Sequence, residues 1–459
     1  MTRFLKSYLA VPILLLIGMA ACTQQLEPDP PSAVVEGRIT VADSIDASGD
    51  YSGIEVTIIK KDSAQAQADT LYHQVTDSSG HFSGMAHFPA PSFYALLIDR
   101  NQRRLDQSAI ILADDDTVRI EAVLPRVSET LAIQSGEHDA LQTFRRIDRA
   151  YNRVANYITR TGELKGDSLI TELKKWANLY WDVYEDKRGT FASRMAASES
   201  IRLFSIIDSE ELMNRLRQIR ENENLVNLAV EYGTEYLARN EGLDHSLAWL
   251  DTLQTLTPDS TAAMNIQQKR INLLYDSARI DQAERRLASF KEQFGDNRAV
   301  AGWIESMEYD LNYLSPGDTI PSFSFRYYGR EINRDSLMGT PYILEITLLS
   351  NRLYQEQYDR TFAIHSIYQN YGIEVITIPL DQSQVTIDGF FEEREKEWPV
   401  ASADAFDRRE LIEKFNIRLV PTRFLVDRNG TIVRKYIGEE YQDVIQGIQT
   451  IIQTEEPAS

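Results

Sequence analysis

The whole of this chain's thiol chemistry rests on one cysteine, Cys22. A single sulfhydryl forms no internal disulfide and no Cys-x-x-Cys pair. Thiol–disulfide exchange and thiol peroxidase catalysis by the chain's own side chains are therefore excluded by composition. Three of the six histidines, His73, His81 and His87, fall in neighbouring strand-like segments. No carboxylate stands at a spacing that would complete a metal site with them, and they suit hairpin-surface positions better. Asp114, Asp115 and Asp116 run consecutively and lack the alternating oxygen ligands of a calcium loop. Ser350 has no histidine near it to act as a base, and His365 falls inside a helical pattern as a structural residue. There is no Gly-rich phosphate loop. No metal and no cofactor are expected.

The N-terminus gives Cys22 a different use. Arg3 and Lys6 precede an apolar run from Leu9 to Ala21 that is too short to span a bilayer stably, the layout of a secretory signal. Met19-Ala20-Ala21-Cys22 resembles the lipobox of bacterial lipoproteins, with Met19 where Leu is commoner. Residues 1–21 are thus expected to be a signal peptide. Cys22 becomes the lipidated (palmitate-bearing) first residue, residues 22–32 form a polar, proline-bearing tether, and the lipid membrane is a partner through Cys22. Thr23 follows the cysteine where Asp would mark inner-membrane retention, which tilts the expected cell-envelope location towards the outer membrane rather than elsewhere in the periplasm. The net charge is −21, and removing residues 1–21 takes two basic side chains and no acidic one. So acidic a surface repels phosphate backbones, and nucleic acid is not an expected partner.

Three regions follow, and the fold class is multidomain α+β. Residues 33–125 read as an antiparallel β-sandwich: Val35, Gly37, Ile39 and Val41 alternate with polar residues, as do Ile54, Val56 and Ile58. Phe93–Ile98 and Ala109–Leu112 supply further strands, and Thr76 to Phe82 a turn. The segments around Val35, Ile54 and Thr76 resemble the prealbumin-like, carboxypeptidase-regulatory-type β-domains. That resemblance implies a spacer or binding module. Residues 126–313 are a helical domain. Leu169, Leu173, Trp176, Tyr180 and Tyr184 paint one apolar stripe. Ala229, Tyr236, Leu237, Leu243, Leu250 and Leu253 repeat 37 residues later as Ile266, Leu273, Leu274, Ile280, Leu287 and Phe290, with Asp244 matching Asp281. This resembles helix hairpins of the tetratricopeptide kind without their period of 34 or their diagnostic Gly and Pro. Residues 314–459 alternate strand and helix and end in a hairpin through Asp427-Arg428-Asn429-Gly430, which predicts an α/β layer on a mixed sheet.

In that last region, Gly317-Asp318 with Pro321 and Phe323, the strand Tyr342-Ile343-Leu344-Glu345-Ile346, the strand Ile373–Asp381, and Val420-Pro421-Thr422-Arg423-Phe424-Leu425-Val426-Asp427 stand in a set order. Together they resemble the thioredoxin-fold, membrane-anchored thiol–disulfide oxidoreductases of the alkyl hydroperoxide reductase/redoxin superfamily. The resemblance implies a cis proline at Pro421 and a Cys-x-x-Cys at a helix N-terminus after the Tyr342 strand. Those two cysteine positions fall on Asn351 and Tyr354. What survives, on this reading, is a recognition surface. Val420 would offer backbone groups to an extended peptide beside cis Pro421 and Thr422, while Asn351 and Tyr354 flank the groove.

The expected function is a non-catalytic, lipid-anchored binding or scaffold protein of the cell envelope, with a protein or peptide partner and a thiol-less thioredoxin-like domain. Two alternatives stand beside it. One is an enzyme with a site outside the Asn351 region. The other is an import accessory whose β-domain captures a glycan or peptide.

Overall fold

The computed structural model describes residues 30–45, 48–60, 68–222, 224–257, 260–392, 394 and 396–455. Cys22, the signal segment before it and most of the tether lie outside the described residues. The chain packs as two compact units that divide between Ser200 and Ile201, inside the helical stretch.

The first unit opens with β1 (Ser32–Val41), β2 (Ile54–Lys60), β3 (Asp69–Val75), β4 (His81–His87), β5 (Ser92–Arg100), β6 (Arg103–Leu112) and β7 (Thr117–Leu124). A short helix α1 (Val127–Thr130), strand β8 (Ala132–Gln134) and helices α2 (Gly136–Thr161) and α3 (Asp167–Asp186) follow, and α4 (Phe191–Ile207) leads on into the second unit. Two four-stranded sheets form, in the orders β4-β1-β7-β8 and β3-β2-β5-β6. The alternating residues Val35, Ile39, Ile54, Val56 and Ile58 are buried in one core with Leu96, Ile98, Val118 and Ile120. One expectation is corrected. The strands are not all antiparallel, because β1 and β7 pair in parallel with Val35 opposite Val118. Alternation tells which face a residue takes and is silent about which strand lies beside it. In α3, Trp176, Tyr180 and Tyr184 are buried, and the Tyr180 hydroxyl donates to Asp148 Oδ1 at 3.0 Å.

The second unit begins with α5 (Ser209–Ile219), α6 (Val226–Leu228), a π-helical turn at Ala229–Gly233, α7 (Thr234–Asn240), α8 (Leu243–Leu256), α9 (Ser260–Asp276), α10 (Ile280–Phe294) and α11 (Arg298–Tyr313). The repeat positions Leu237, Leu250 and Leu253, and their counterparts Leu274, Leu287 and Phe290, are all buried. A hairpin of β9 (Ser324–Tyr327) and β10 (Arg330–Asn333) leads to the main sheet of β11 (Tyr342–Thr347), β12 (Glu374–Pro379), β13 (Thr422–Val426) and β14 (Ile432–Ile437). Its order is β12-β11-β13-β14, with β11 parallel to β12 and antiparallel to β13. Helices α12 (Arg352–Tyr368), α13 (Gln384–Glu392), α14 (Arg408–Lys414) and α15 (Val444–Glu455) complete it.

Both faces of this sheet are covered, which is why β11 is buried at every residue. Leu344, Ile376 and Phe424 face a core shared with Leu314, Leu411 and Phe415. Ile343, Val375 and Leu425 face the opposite core with Tyr354, Tyr358, Tyr441 and Ile448. Helix α11 is bolted to the sheet by a buried ion pair. Lys435 Nζ on β14 donates to both carboxylate oxygens of Asp310 at 2.9 and 2.8 Å, and Asn416 Nδ2 donates to the same carboxylate at 2.7 Å. No described helix is long and apolar enough to cross a membrane.

Candidate functional site

The residues singled out from sequence converge at the N-terminus of α12. Asn351 is the N-cap: its side-chain oxygen accepts from the Tyr354 N–H at 3.0 Å, satisfying one of the helix's open donors. The helix begins at Arg352, directly after this cap. The other end of the same amide reaches across the sheet, and Asn351 Nδ2 donates to the Val420 carbonyl at 3.1 Å. The Val420–Pro421 peptide is cis. Asn351 and Val420 are thus brought together, both half-buried.

The other three groove residues are not at the surface. Tyr354 is fully buried, and Pro421 and Thr422 are buried as well. Tyr354 does not flank a groove. It points down from α12 into the aromatic core, 5.9 Å from Phe390 and 6.3 Å from Tyr358 between ring centroids. The Thr422 hydroxyl is spent on the Leu419 carbonyl at 2.7 Å. Exposed around the Asn351–Val420 bond are Leu348, Ser350, Arg352, Arg418 and Leu419, the last with 66% of its surface open. The Val420 N–H has no partner among the described residues, and its carbonyl oxygen, holding one bond, can accept another.

Beneath the helix start lies a polar network that sequence reasoning passed over. Glu345 and Arg423 sit opposite one another in β11 and β13, both with essentially no exposed surface. Arg423 Nε donates to Glu345 Oε1 at 2.6 Å, and Nη1 to Gln357 Oε1 at 2.7 Å. The guanidinium lies 3.7 Å from the centroid of the Tyr441 ring, a desolvated cation–π contact. Thr377 Oγ1 donates to Glu345 Oε2 at 2.9 Å and itself accepts from Trp398 Nε1 at 2.9 Å. The Tyr354 hydroxyl donates to Glu345 Oε2 at 3.3 Å, and Thr361 Oγ1 lies 3.1 Å from Oε1. Burial first, and the Glu345 charge second, hold the Tyr354 hydroxyl well above its ordinary pKa, so it stays a donor. The available signal was a lone Glu and a lone Arg, each in the middle of an apolar strand run.

The remaining candidates are ordinary. His73 Nδ1 shares a hydrogen bond with Thr57 Oγ1 at 3.0 Å, and His81 Nδ1 with Ser79 Oγ at 2.8 Å. No group of three His, Cys, Asp or Glu among the described residues is placed to hold a metal. Asp114 accepts from the Ser32 N–H, and Asp115 occupies a left-handed turn position with φ of 58°. His365 is buried edge-on against Trp398 at 5.4 Å, and burial lowers its pKa.

No family model matches the chain. Over 80 residues it is 28% identical to the thiol-disulfide oxidoreductase ResA of Bacillus cereus, a match covering 17% of this chain and 44% of that protein. The chain therefore spans under half the length of the curated relatives it matches. Among solved structures, a thioredoxin-family thiol:disulfide interchange protein from Chlorobium tepidum is 19% identical, covering 30% of this chain and 97% of its own, with a TM-score of 0.27. StoA from Bacillus subtilis is 18% identical, covering 28% and 97%, with a TM-score of 0.25. The ResA likeness in sequence joins the mixed sheet, the helix start after β11 and the cis Val420–Pro421 peptide. The chain is thus similar, over a stretch of 80 residues, to thioredoxin-like thiol–disulfide oxidoreductases.

Proposed function

We propose that this protein is a non-catalytic binding or scaffold component of the cell envelope, tethered to lipid through Cys22, whose thioredoxin-like domain engages an extended peptide without thiol chemistry. The observation that carries the reading is what fills positions 351 and 354. A redox pair would need two thiols there. This chain has an asparagine that caps α12 and ties it to Val420, and a tyrosine sealed in the core over Glu345. The bond across the helix start fixes the edge at Val420, while the open N–H and the spare carbonyl lone pair leave it able to add a strand. Exposed Leu348 and Leu419 supply apolar contact on either side of that edge. The β-sandwich, of prealbumin-like type on this reading, and the tetratricopeptide-like hairpins then serve as spacer and further docking surface.

The ResA relatives are named for thiol–disulfide exchange, and this chain is expected to lack it. The test is turnover by the purified protein. Insulin and hydrogen peroxide, offered with dithiothreitol as the electron source, are expected to be reduced no faster than by dithiothreitol alone. Reduction of either at a rate proportional to protein concentration would overturn the proposal.

A further inference from the structure

Within the second unit, between the helix hairpins and strand β14, is a cavity of about 500 Å³, a size typical of small-molecule sites. One wall is the start of α7, set by the π-helical turn Ala229–Gly233. There the Trp249 indole N–H donates to the Ala229 carbonyl at 2.8 Å, and its ring packs on Gly233 so closely that a Cβ would not fit. Turns of this kind are frequent at functional sites. The opposite wall is Arg434 and Tyr436 of β14 with the turn that follows.

The charges in this cavity do not balance. Arg239 is taken up by Glu235 at 2.8 Å and Asp443 at 2.9 Å. Asp276, 23% exposed, has Arg434 at 3.8 Å. Glu231, Glu439 and Glu440 add three more carboxylates, against Lys269 alone. Two buried hydroxyls lining the space, Tyr436 Oη and Thr234 Oγ1, have no hydrogen-bond partner among the described residues, and both side chains are only 1% exposed. Such orphaned groups call for a ligand atom or water. Burial first, then the like charge of Glu440, pushes Asp276 up to about 7.

We propose that this cavity binds an alkylammonium group, with Asp276 and Glu440 as its counter-ions, the Tyr436 and Thr234 hydroxyls as hydrogen-bond acceptors, and Leu273 and Val433 along its methylenes. A hydroxyl oxygen accepts from N–H as readily as it donates. The ammonium competes with the proton on Asp276, so binding weakens as pH falls below about 7. The site is remote in sequence from Asn351 and stands whether or not the peptide reading does.

The test is titration calorimetry on the full chain with 1,5-diaminopentane, a free diamine, and with Nα-acetyl-lysine N-methylamide, a peptide-borne lysine. The diol 1,5-pentanediol is the control. At least one amine is expected to bind, about tenfold more tightly at pH 8 than at pH 6. Binding of the diamine alone marks a free amine as ligand, and binding of the lysine derivative marks a peptide. Asp276→Asn is expected to weaken binding at least tenfold and to flatten the pH dependence. Glu440→Gln and Tyr436→Phe each weaken it several-fold, which keeps the test open if one variant folds poorly. Absence of binding by both amines at millimolar concentration, equal binding of the diol, or unchanged affinity in Asp276→Asn and Glu440→Gln would overturn the proposal.

Discussion

Replacing Arg423 by Met probes the feature that holds the candidate site together. The guanidinium is 1% exposed and Glu345 is wholly buried, so removing one partner strands the other in the core. Breaking a buried pair in this way costs about 3–5 kcal/mol, and leaving the Gln357 carbonyl without its Nη1 donor adds about 1 kcal/mol. Met restores much of the lost volume, so the cost is electrostatic rather than a cavity. Glu345→Gln reverses the imbalance, leaving a cation with its Tyr441 contact and no counter-charge. The double variant removes both charges and is expected to return to within about 1–2 kcal/mol of the parent. Guanidinium unfolding at pH 7, followed by far-UV circular dichroism and tryptophan fluorescence, gives the three free energies for a double-mutant cycle. Single variants costing less than about 1 kcal/mol, or a double variant as costly as their sum, would refute the coupling argued from the geometry.

Three further outcomes follow from the structure. Asn351→Ala loses the α12 cap, about 1 kcal/mol, and the bond to Val420, about 1 kcal/mol. Asn351→Asp keeps the cap alone and is expected to recover roughly half of that in the same unfolding experiment. Asp310→Ala leaves Lys435 buried and uncompensated at a cost of about 3–5 kcal/mol, and hydrogen exchange is expected to lose protection first along Arg298–Tyr313. For Asp276, raised from 3.8 to about 7, the folded state holds a proton that the unfolded chain has already released across that window. The group's contribution is therefore undiminished below pH 4 and turns increasingly unfavourable as pH rises to 7, by at most about 4 kcal/mol. Asp276→Asn is expected to raise the melting temperature at pH 8 and to change it little at pH 4. An equal shift at both would contradict the assignment.

Much of this architecture could be read from residue pattern, and the exceptions share a cause. The strands around Val35, Ile54 and Thr422 declare themselves by alternation or by apolar runs, and each is found within a few residues of its expected place. The aromatic stripe of α3 and the 37-residue repeat also mark buried faces. Pairing was not legible. The parallel β1–β7 ladder and the Glu345–Arg423 contact depend on which strands become neighbours, which no local pattern encodes. Tyr354 misled for another reason: tyrosine serves equally in a core or at a groove, and only the tertiary packing over Glu345 decides. The Asn351 cap was within reach, since an asparagine directly before a helical pattern is a start signal in its own right. Its second bond, to a residue 69 positions away, was not.

The central claim, that the edge at Val420 is a working recognition surface rather than the remnant of a redox site, is tested most directly by photocrosslinking in cells. A photoreactive residue replaces Leu419, which is 66% exposed beside the Asn351–Val420 bond, and in a parallel strain replaces Tyr371, which is 57% exposed beyond the far end of α12. A discrete adduct at position 419, absent at position 371 and lost when an unlabelled extended peptide competes, is the predicted result. The same adducts at both positions, or none at 419, would contradict it.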